Sequence, residues 1–142
     1  MSGTGKSSVI EELKTRGYQA VDTDWNPDWE YDAGTEWRWR EDRIGELLDG
    51  EAGVLFVSAC VSNQGKFYDR FDDVVLLSAP ETVMRDRLSR RTNNPYGKKP
   101  EEVAEVLRNK HTVEPLLRRG ATVEIDTSAP LEVVVATILA RL

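Results

Sequence analysis

Apolar segments alternate with stretches of helical periodicity along the chain, and this alternation predicts its order of elements. Residues 54–59 (VLFVSA) and 74–78 (VVLLS) are continuous apolar runs of the kind that buried parallel strands show. Shorter strands are predicted at residues 18–22 and 121–126. Apolar positions spaced by three and four residues predict helices over residues 8–16, 37–48, 81–91, 101–117 and 131–142.

Proline, glycine and polar residues separate these elements. Residues 25–36 and 92–100 are rich in them and are predicted to be loops. Pro115 marks a point at which the helix over 101–117 could break. Because strands alternate with helices, the pattern predicts an α/β fold with a parallel sheet covered by helices on both faces. A chain of 142 residues suits one such domain, over residues 1–142.

Composition narrows the classes of function. The formal net charge of −6 argues against general nucleic-acid binding, because such binding needs a basic surface. No apolar run approaches the roughly 20 residues of a membrane span, and no basic segment followed by an apolar one opens the chain. The single Cys60 fits a reducing compartment. We therefore expect a cytoplasmic protein without a membrane partner or a nucleic-acid partner.

Residues 2–7 (SGTGKS) match the end of the phosphate-loop pattern G-x-x-x-x-G-K-[ST]. Glycines let consecutive backbone N–H groups turn toward one anion, and the helix that follows adds its positive N-terminal end. Lys6 can reach the β- and γ-phosphates of ATP, and the Ser7 hydroxyl can ligate Mg²⁺. The predicted nucleotide contacts in this segment are Gly3, Thr4, Gly5, Lys6, Ser7 and Ser8, the last of which caps or lines the helix start.

The first glycine of this pattern would stand immediately before Met1, and a strand would precede it. In the P-loop kinases that this segment resembles, that strand is central in the sheet, and the resemblance implies that it would lie beside the strands at 54–59 and 74–78. The hypothesis is that the natural product starts several residues upstream of Met1.

Asp22-Thr23-Asp24 ends a predicted strand and resembles the D-x-D motif of shikimate kinases. Over nearly its whole length, the chain is similar to the group that contains shikimate kinases, gluconate kinases and nucleoside-monophosphate kinases. This resemblance implies a P-loop kinase fold. It also implies that Asp22 positions Mg²⁺ through water, and that Asp24 accepts a hydrogen bond from a substrate hydroxyl and acts as the base. Two carboxylates at alternate positions suit one metal role and one substrate role.

Trp37-Arg38-Trp39-Arg40-Glu41 is similar to the F-R-x-x-E segment of shikimate kinases. The resemblance implies that Arg38 binds an anionic group of the substrate and that Glu41 orients Arg38. A planar guanidinium suits this task because it can grip a carboxylate with two hydrogen bonds. Arg40 and Arg43 remain alternatives for the anchor. Residues 25–49 would then form the substrate-binding loop and helix.

Arg87-Leu88-Ser89-Arg90-Arg91 fits the R-[LI]-x-x-R pattern that opens the lid of monophosphate kinases. The resemblance implies that Arg87 lies against the adenine face, that Arg91 contacts the phosphates as a catalytic residue, and that residues 92–100 form the lid. Residues 125–130 (IDTSAP) resemble the segment whose backbone reads the adenine edge, with Ser128 as its nucleotide contact.

The chain also departs from shikimate kinases. It lacks their glycine triplet after the strand at 54–59, where residues 59–65 read ACVSNQG, so shikimate is not the expected acceptor. No acidic residue ends that strand either. Asp22 must therefore take the place of the usual Walker B carboxylate.

These features predict a kinase that transfers the γ-phosphoryl group of ATP, with Mg²⁺, to a small hydroxylated or anionic metabolite. Lys6, Asp24 and Arg91 are the predicted catalytic residues, and Ser7 with Asp22 the predicted metal ligands. ATP and this acceptor are the expected partners of a monomer. Two alternatives stay open: a P-loop ATPase or nucleotide-binding switch with no small-molecule acceptor, and an inactive truncated remnant.

Overall fold

A computed structural model describes residues 3–50, 53–92 and 95–142 of the chain. The chain divides into two compact units, one of Met1–Lys6 with Asp73–Leu142 and one of Ser7–Asp72. The expectation of one domain over residues 1–142 stays a prediction.

The Ser7–Asp72 unit is built on a parallel strand pair. Strand β1 (Gln19–Asp22) pairs with β4 (Leu55–Ser58), so that Asp22 lies opposite Ser58 where both strands end. These two strands confirm the predictions at 18–22 and 54–59. The other elements are α1 (Lys6–Thr15), β2 (Glu30–Asp32), β3 (Trp37–Trp39), α2 (Glu41–Gly50) and a 3-10 helix over Gln64–Arg70.

The segment before α2 is a β-hairpin. Strands β2 and β3 pair antiparallel, with Glu30 opposite Trp39. The predicted helix over 37–48 was therefore wrong for its first residues, and the predicted loop over 25–36 contains a strand. The physical reason is that successive side chains of a strand point to opposite faces. Trp37 and Trp39 therefore lie on one face of β3 and Arg38 on the other, which suits aromatic residues in a half-buried strand.

The core of this unit gathers around the hairpin and α2. Trp39, Ile44 and Val61 are buried, and the Trp39 and Phe67 rings meet edge to face at 5.7 Å. Helix α1 adds its own apolar side, with Val9, Ile10 and Leu13 buried as its periodicity predicts.

The second unit also contains a parallel strand pair. Strand β5 (Val75–Ser78) pairs with β6 (Val123–Asp126), so that Ser78 lies opposite Asp126. The predicted helix over 101–117 does break, because α4 ends at Thr112 and α5 begins just before Pro115. The helices of the unit are α3 (Glu81–Arg90), α4 (Pro100–Thr112), α5 (Glu114–Gly120) and α6 (Leu131–Leu139). Its core contains Ala79, Met84, Leu88 and Val106.

The described residues thus form a mixed α/β structure with small parallel sheets. Its sheets are the parallel pairs β1–β4 and β5–β6 and the antiparallel pair β2–β3. The expected single sheet with helices on both faces is not formed within the described residues. In this part of the chain, every helix is too short or too polar to traverse a lipid bilayer.

Candidate functional site

The phosphate-loop motif adopts a backbone that needs its glycines. Gly3 and Gly5 have φ angles of +81° and +91°, in the left-handed region that other residues avoid. A β-carbon added at Gly3 would lie 3.2 Å from the Met84 carbonyl oxygen and 3.3 Å from the Met84 β-carbon. Thr4 between them is fully buried. Such alternation lets successive backbone N–H groups form an anion-binding concavity, and α1 begins directly afterwards at Lys6.

Two side chains from the Asp73–Leu142 segment form hydrogen bonds to carbonyl oxygens of this loop. Arg87 Nη1 donates to the Gly3 carbonyl oxygen at 3.3 Å and to Thr127 Oγ1 at 2.7 Å. The Thr127 hydroxyl lies 2.7 Å from the Thr4 carbonyl oxygen and 3.2 Å from that of Ser78. Arg87 Nη2 donates to the Thr127 carbonyl oxygen. The loop is therefore held from its carbonyl side.

In the Ser7–Asp72 unit, one carboxylate collects three hydrogen-bond donors. Ser7 Oγ donates to Asp22 Oδ2 at 2.7 Å. Asp22 Oδ1 accepts from Ser58 Oγ at 3.0 Å and from the Asp24 backbone N–H at 3.1 Å. Ser58 ends β4, where an acidic residue was missing from the sequence pattern. Asp22 thus takes the carboxylate position at this strand edge, paired with the hydroxyl that ends the phosphate-loop motif.

These groups fit a magnesium ion. Mg²⁺ prefers oxygen ligands and keeps several waters, and proteins hold it through one or two side chains together with substrate phosphates. The Ser7 hydroxyl and the Asp22 carboxylate supply such oxygens. Among the described residues, no group of three or more His, Cys, Asp or Glu side chains could hold a metal ion by itself. A metal at Ser7 and Asp22 would therefore also need ligands from the nucleotide.

Arg38, the predicted substrate anchor, and Glu41 lie near each other without a direct hydrogen bond. Glu41 Oε2 accepts from Asn63 Nδ2 at 3.0 Å and from Lys66 Nζ at 3.1 Å, and these bonds hold the pKa of Glu41 below its usual value. Arg38 Nη1 lies 3.8 Å from Glu36, and its Nε is buried with no hydrogen-bond partner. Glu41 therefore accepts from Asn63 and Lys66, and the expected orientation of Arg38 by a hydrogen bond to Glu41 is not present in the structure.

The two alternative anchors differ from Arg38. Arg40 Nε donates to the Pro27 carbonyl oxygen at 2.9 Å, and its guanidinium lies 5.7 Å from the centre of the Tyr31 ring. Arg43 is exposed on α2. Of the three arginines, Arg38 alone has a buried nitrogen that lacks a partner.

The predicted lid is docked at its C-terminal end. Arg91 Nη2 donates to the Tyr96 carbonyl oxygen, and the Gly97 N–H donates to Glu102 Oε1 at 3.2 Å. Burial lowers the pKa of Arg91, whose Nε has no hydrogen-bond partner. Burial also raises the pKa of Tyr96 to about 12. Residues 93 and 94 of the predicted lid lie outside the described residues, as does Ser2 of the phosphate-loop motif.

A family model described as AAA domain matches residues 1–108. The chain belongs to this AAA domain family. It is therefore a P-loop NTPase-type, nucleotide-binding domain, which confirms this part of the prediction from the sequence. No curated protein matches the chain.

Sequence reasoning about this AAA domain chose Ser128 and missed its neighbour Thr127. The Ser128 side chain and backbone N–H both donate to Asp126 Oδ1, which keeps the pKa of Asp126 low, and Ser128 is exposed. Thr127 is the buried residue that contacts the loop. The available signal was position, because Thr127 directly follows the end of β6.

Sequence reasoning also missed a group of buried hydrogen-bonding residues around the D-x-D segment of the AAA domain. Thr23 is fully buried, and its hydroxyl accepts a hydrogen bond from Trp39 Nε1 at 2.9 Å. The buried Glu30 accepts from the Trp25 N–H at 3.1 Å and lies 3.2 Å from the Thr23 hydroxyl. Trp25 has a φ of +61°, which is rare for a bulky residue. This network fixes the backbone on both sides of Asp24.

Proposed function

We propose that this AAA domain is an Mg²⁺-dependent kinase that transfers the γ-phosphoryl group of ATP to a small hydroxylated or anionic metabolite. The observation that carries the proposal is the 2.7 Å hydrogen bond from Ser7 Oγ to Asp22, with Asp24 two residues further on. A phosphate-loop hydroxyl paired with a strand-end carboxylate is the arrangement by which P-loop enzymes hold Mg²⁺. A second carboxylate beside it suits an acceptor hydroxyl. We further propose that the protein acts as a monomer in the cytoplasm.

The phosphate loop and Arg91, which directly precedes the predicted lid, provide the positive charge. The backbone N–H groups of Gly3 to Lys6 and the Lys6 ammonium bind the β- and γ-phosphates, while Ser7 and Asp22 would hold Mg²⁺. When bound, Mg²⁺ offsets charge on these phosphates. Arg91, whose Nε has no hydrogen-bond partner, would turn to the transferring group when the lid closes.

The acceptor side is assigned to Asp24. The acceptor oxygen attacks the γ-phosphorus, the bond from that phosphorus to the bridging oxygen of ADP breaks, and the acceptor's hydroxyl proton passes to the Asp24 carboxylate. The Asp24 N–H donates to Asp22 Oδ1 at 3.1 Å. This bond fixes the main chain between Asp22, the proposed metal ligand, and Asp24, the proposed base. Such sites work mostly by positioning and charge stabilisation.

Three further residues support a small-molecule acceptor. Trp25, which follows Asp24 directly, is 53% exposed and meets Trp37 edge to face at 5.1 Å. Exposed indoles of this kind offer a flat apolar surface to a ligand. Arg38, with its unpartnered Nε, is the proposed anchor for an anionic group, since ionic and bidentate hydrogen bonds are the strong ones.

The test is ADP release by the purified chain in Mg-ATP, with and without pools of hydroxylated metabolites, followed by mass spectrometry of the products. We expect release to depend on one acceptor pool. In Asp24→Asn that release should fall by roughly 100-fold, because a positioned base contributes about 10²–10⁴-fold. The exposed Asp28→Asn is the matched control and should keep wild-type activity.

Two outcomes would contradict the kinase proposal. ADP release that no acceptor changes, with equal rates in Asp24→Asn and wild type, would identify an ATPase. An absence of nucleotide binding, measured separately by calorimetry, would identify an inactive protein.

A further inference from the structure

The clasp on the phosphate loop has a feature that the sequence resemblance does not predict. Here the clasp means two residues: Arg87, which donates to the Gly3 carbonyl oxygen, and Thr127, which donates to the Thr4 carbonyl oxygen. The resemblance expects Arg87 to lie on the adenine ring. In the structure its Nη1 and Nη2 atoms donate instead to the loop and to Thr127.

An anion-binding loop has a specific requirement that the clasp meets. Its N–H groups must point toward the phosphate, so its carbonyl oxygens must point away and find donors elsewhere. Gly3 and Thr4 provide two such oxygens, and the clasp provides their donors. Glycines at φ of +81° and +91° are intrinsically free to leave this conformation, so external hydrogen bonds are needed to hold it.

The Thr127 hydroxyl is the centre of the clasp. It is 4% exposed, accepts a hydrogen bond from the charged Arg87, and has one proton to donate. The Thr4 carbonyl oxygen at 2.7 Å is a shorter acceptor than that of Ser78 at 3.2 Å. A hydrogen bond from a cationic donor is stronger than a neutral one, so Arg87 holds Thr127 in the orientation that the loop needs.

We propose that Thr127 and Arg87 are positioning residues that hold the phosphate loop in its anion-binding conformation, and that Arg87 acts through the loop instead of through the adenine. The proposal rests on the nucleotide binding contained in the proposed function. Packing supports it as well, because a β-carbon added at Gly5 would lie 3.6 Å from Arg87 Nη1. The guanidinium is thus seated against the loop itself.

The two roles of Arg87 predict different ligand dependence. An adenine contact matters for ATP and not for a ligand without a base. A loop clasp matters equally for every ligand that presents the same phosphates. The probes are therefore ATP, GTP and inorganic tripolyphosphate, each with Mg²⁺, and their affinities are measured by calorimetry.

Four variants of the full chain separate the roles. Thr127→Val removes the hydroxyl at nearly constant volume, Thr127→Ser keeps it, and Arg87→Met removes the guanidinium. Arg85→Met, at an exposed position of the same helix, is the control for loss of one charge. We expect Thr127→Val and Arg87→Met to weaken all three ligands by the same factor, about tenfold or more. Thr127→Ser should recover most of the affinity, and Arg85→Met should stay close to wild type.

A loss confined to ATP, with tripolyphosphate binding unchanged, would overturn the proposal and restore the adenine role of Arg87. Amide hydrogen exchange of the N-terminal peptide gives a second decision that needs no ligand. Thr127→Val and Arg87→Met should exchange faster than wild type over residues 3–8, and equally over residues 41–50. Unchanged exchange at 3–8 in both variants would overturn the clasp even in a chain that binds no nucleotide.

Discussion

Gly97 shows how closely a single residue is constrained at the end of the predicted lid. Its φ is +95°, and an added β-carbon would lie 2.7 Å from Cδ2 of the buried Leu88. Gly97→Ala therefore meets both backbone strain and overpacking, and we expect the free energy of unfolding to fall by about 2–4 kcal/mol. Chemical denaturation measures this loss.

Gly34 provides a control for the backbone part of that loss. Its φ is +98°, but an added β-carbon would meet nothing within 4 Å. Gly34→Ala should therefore cost only the strain of a left-handed backbone, about 1–2 kcal/mol. Equal losses in the two variants would show that Leu88 yields at no cost and that the contact at Gly97 is unimportant.

Single residues also show how far sequence could reach. Ser7 was predicted as a metal ligand from the phosphate-loop motif and Asp22 from its resemblance to the D-x-D motif, and in the structure Ser7 Oγ lies 2.7 Å from Asp22 Oδ2. Thr127 could not be found this way, because its role depends on a contact with Thr4, which lies 123 positions away. Local pattern has no information about such a pairing.

The strand β6 and the helix α5 are joined by an ionic contact that should make stability depend on pH. Arg118 Nε donates to Glu124 Oε1 at 2.6 Å, and this bond, with one from Ser78, lowers the pKa of Glu124 below its ordinary 4.5. Arg118 also binds Glu114, and Lys110 of α4 adds positive charge nearby. A lowered folded pKa contributes stability above about pH 4.5, which is lost as pH falls through the folded value.

We therefore expect Glu124→Gln to flatten the fall in unfolding free energy at pH below 4.5 relative to wild type. Denaturation curves at a series of acidic pH values measure this slope. Glu132→Gln, at an exposed position of α6, should leave the slope unchanged. A slope in Glu124→Gln as steep as in wild type would show that the Arg118 contact does not stabilise the folded chain.

At the scale of elements, the predictions succeeded where one strong signal was present. The apolar runs of β4 and β5 and the helix break before Pro115 were read correctly. The hairpin of β2 and β3 was missed because three-residue strands leave little periodicity, and Trp37 also fits a helical spacing with Ile44, Leu47 and Leu48. Pairing with a partner strand decided the conformation, and that partner lay in the predicted loop.

At the scale of the whole molecule, the proposed nucleotide site has two kinds of ligand, the backbone N–H groups of the phosphate loop and the side-chain oxygens of Ser7 and Asp22. Nucleotide and Mg²⁺ should therefore make separable contributions to stability. A ligand that binds only the folded chain raises the free energy of unfolding by mass action, about 2.7 kcal/mol at a hundredfold excess over Kd. We expect ATP with a chelator to raise Tm through the loop, and Mg-ATP to raise it further through Ser7 and Asp22.

Asp22→Asn tests the metal part of this arrangement. The substitution keeps the shape but removes the charge that would hold Mg²⁺, so the rise with ATP alone should persist while the extra rise with Mg²⁺ disappears. Lys6→Ala should reduce both, and the exposed Asp28→Asn should keep both. A full Mg²⁺ increment in Asp22→Asn would mean that the ion binds through the phosphates alone. The hydrogen bond from Ser7 would then be a contact that orders the start of α1 without a part in the chemistry.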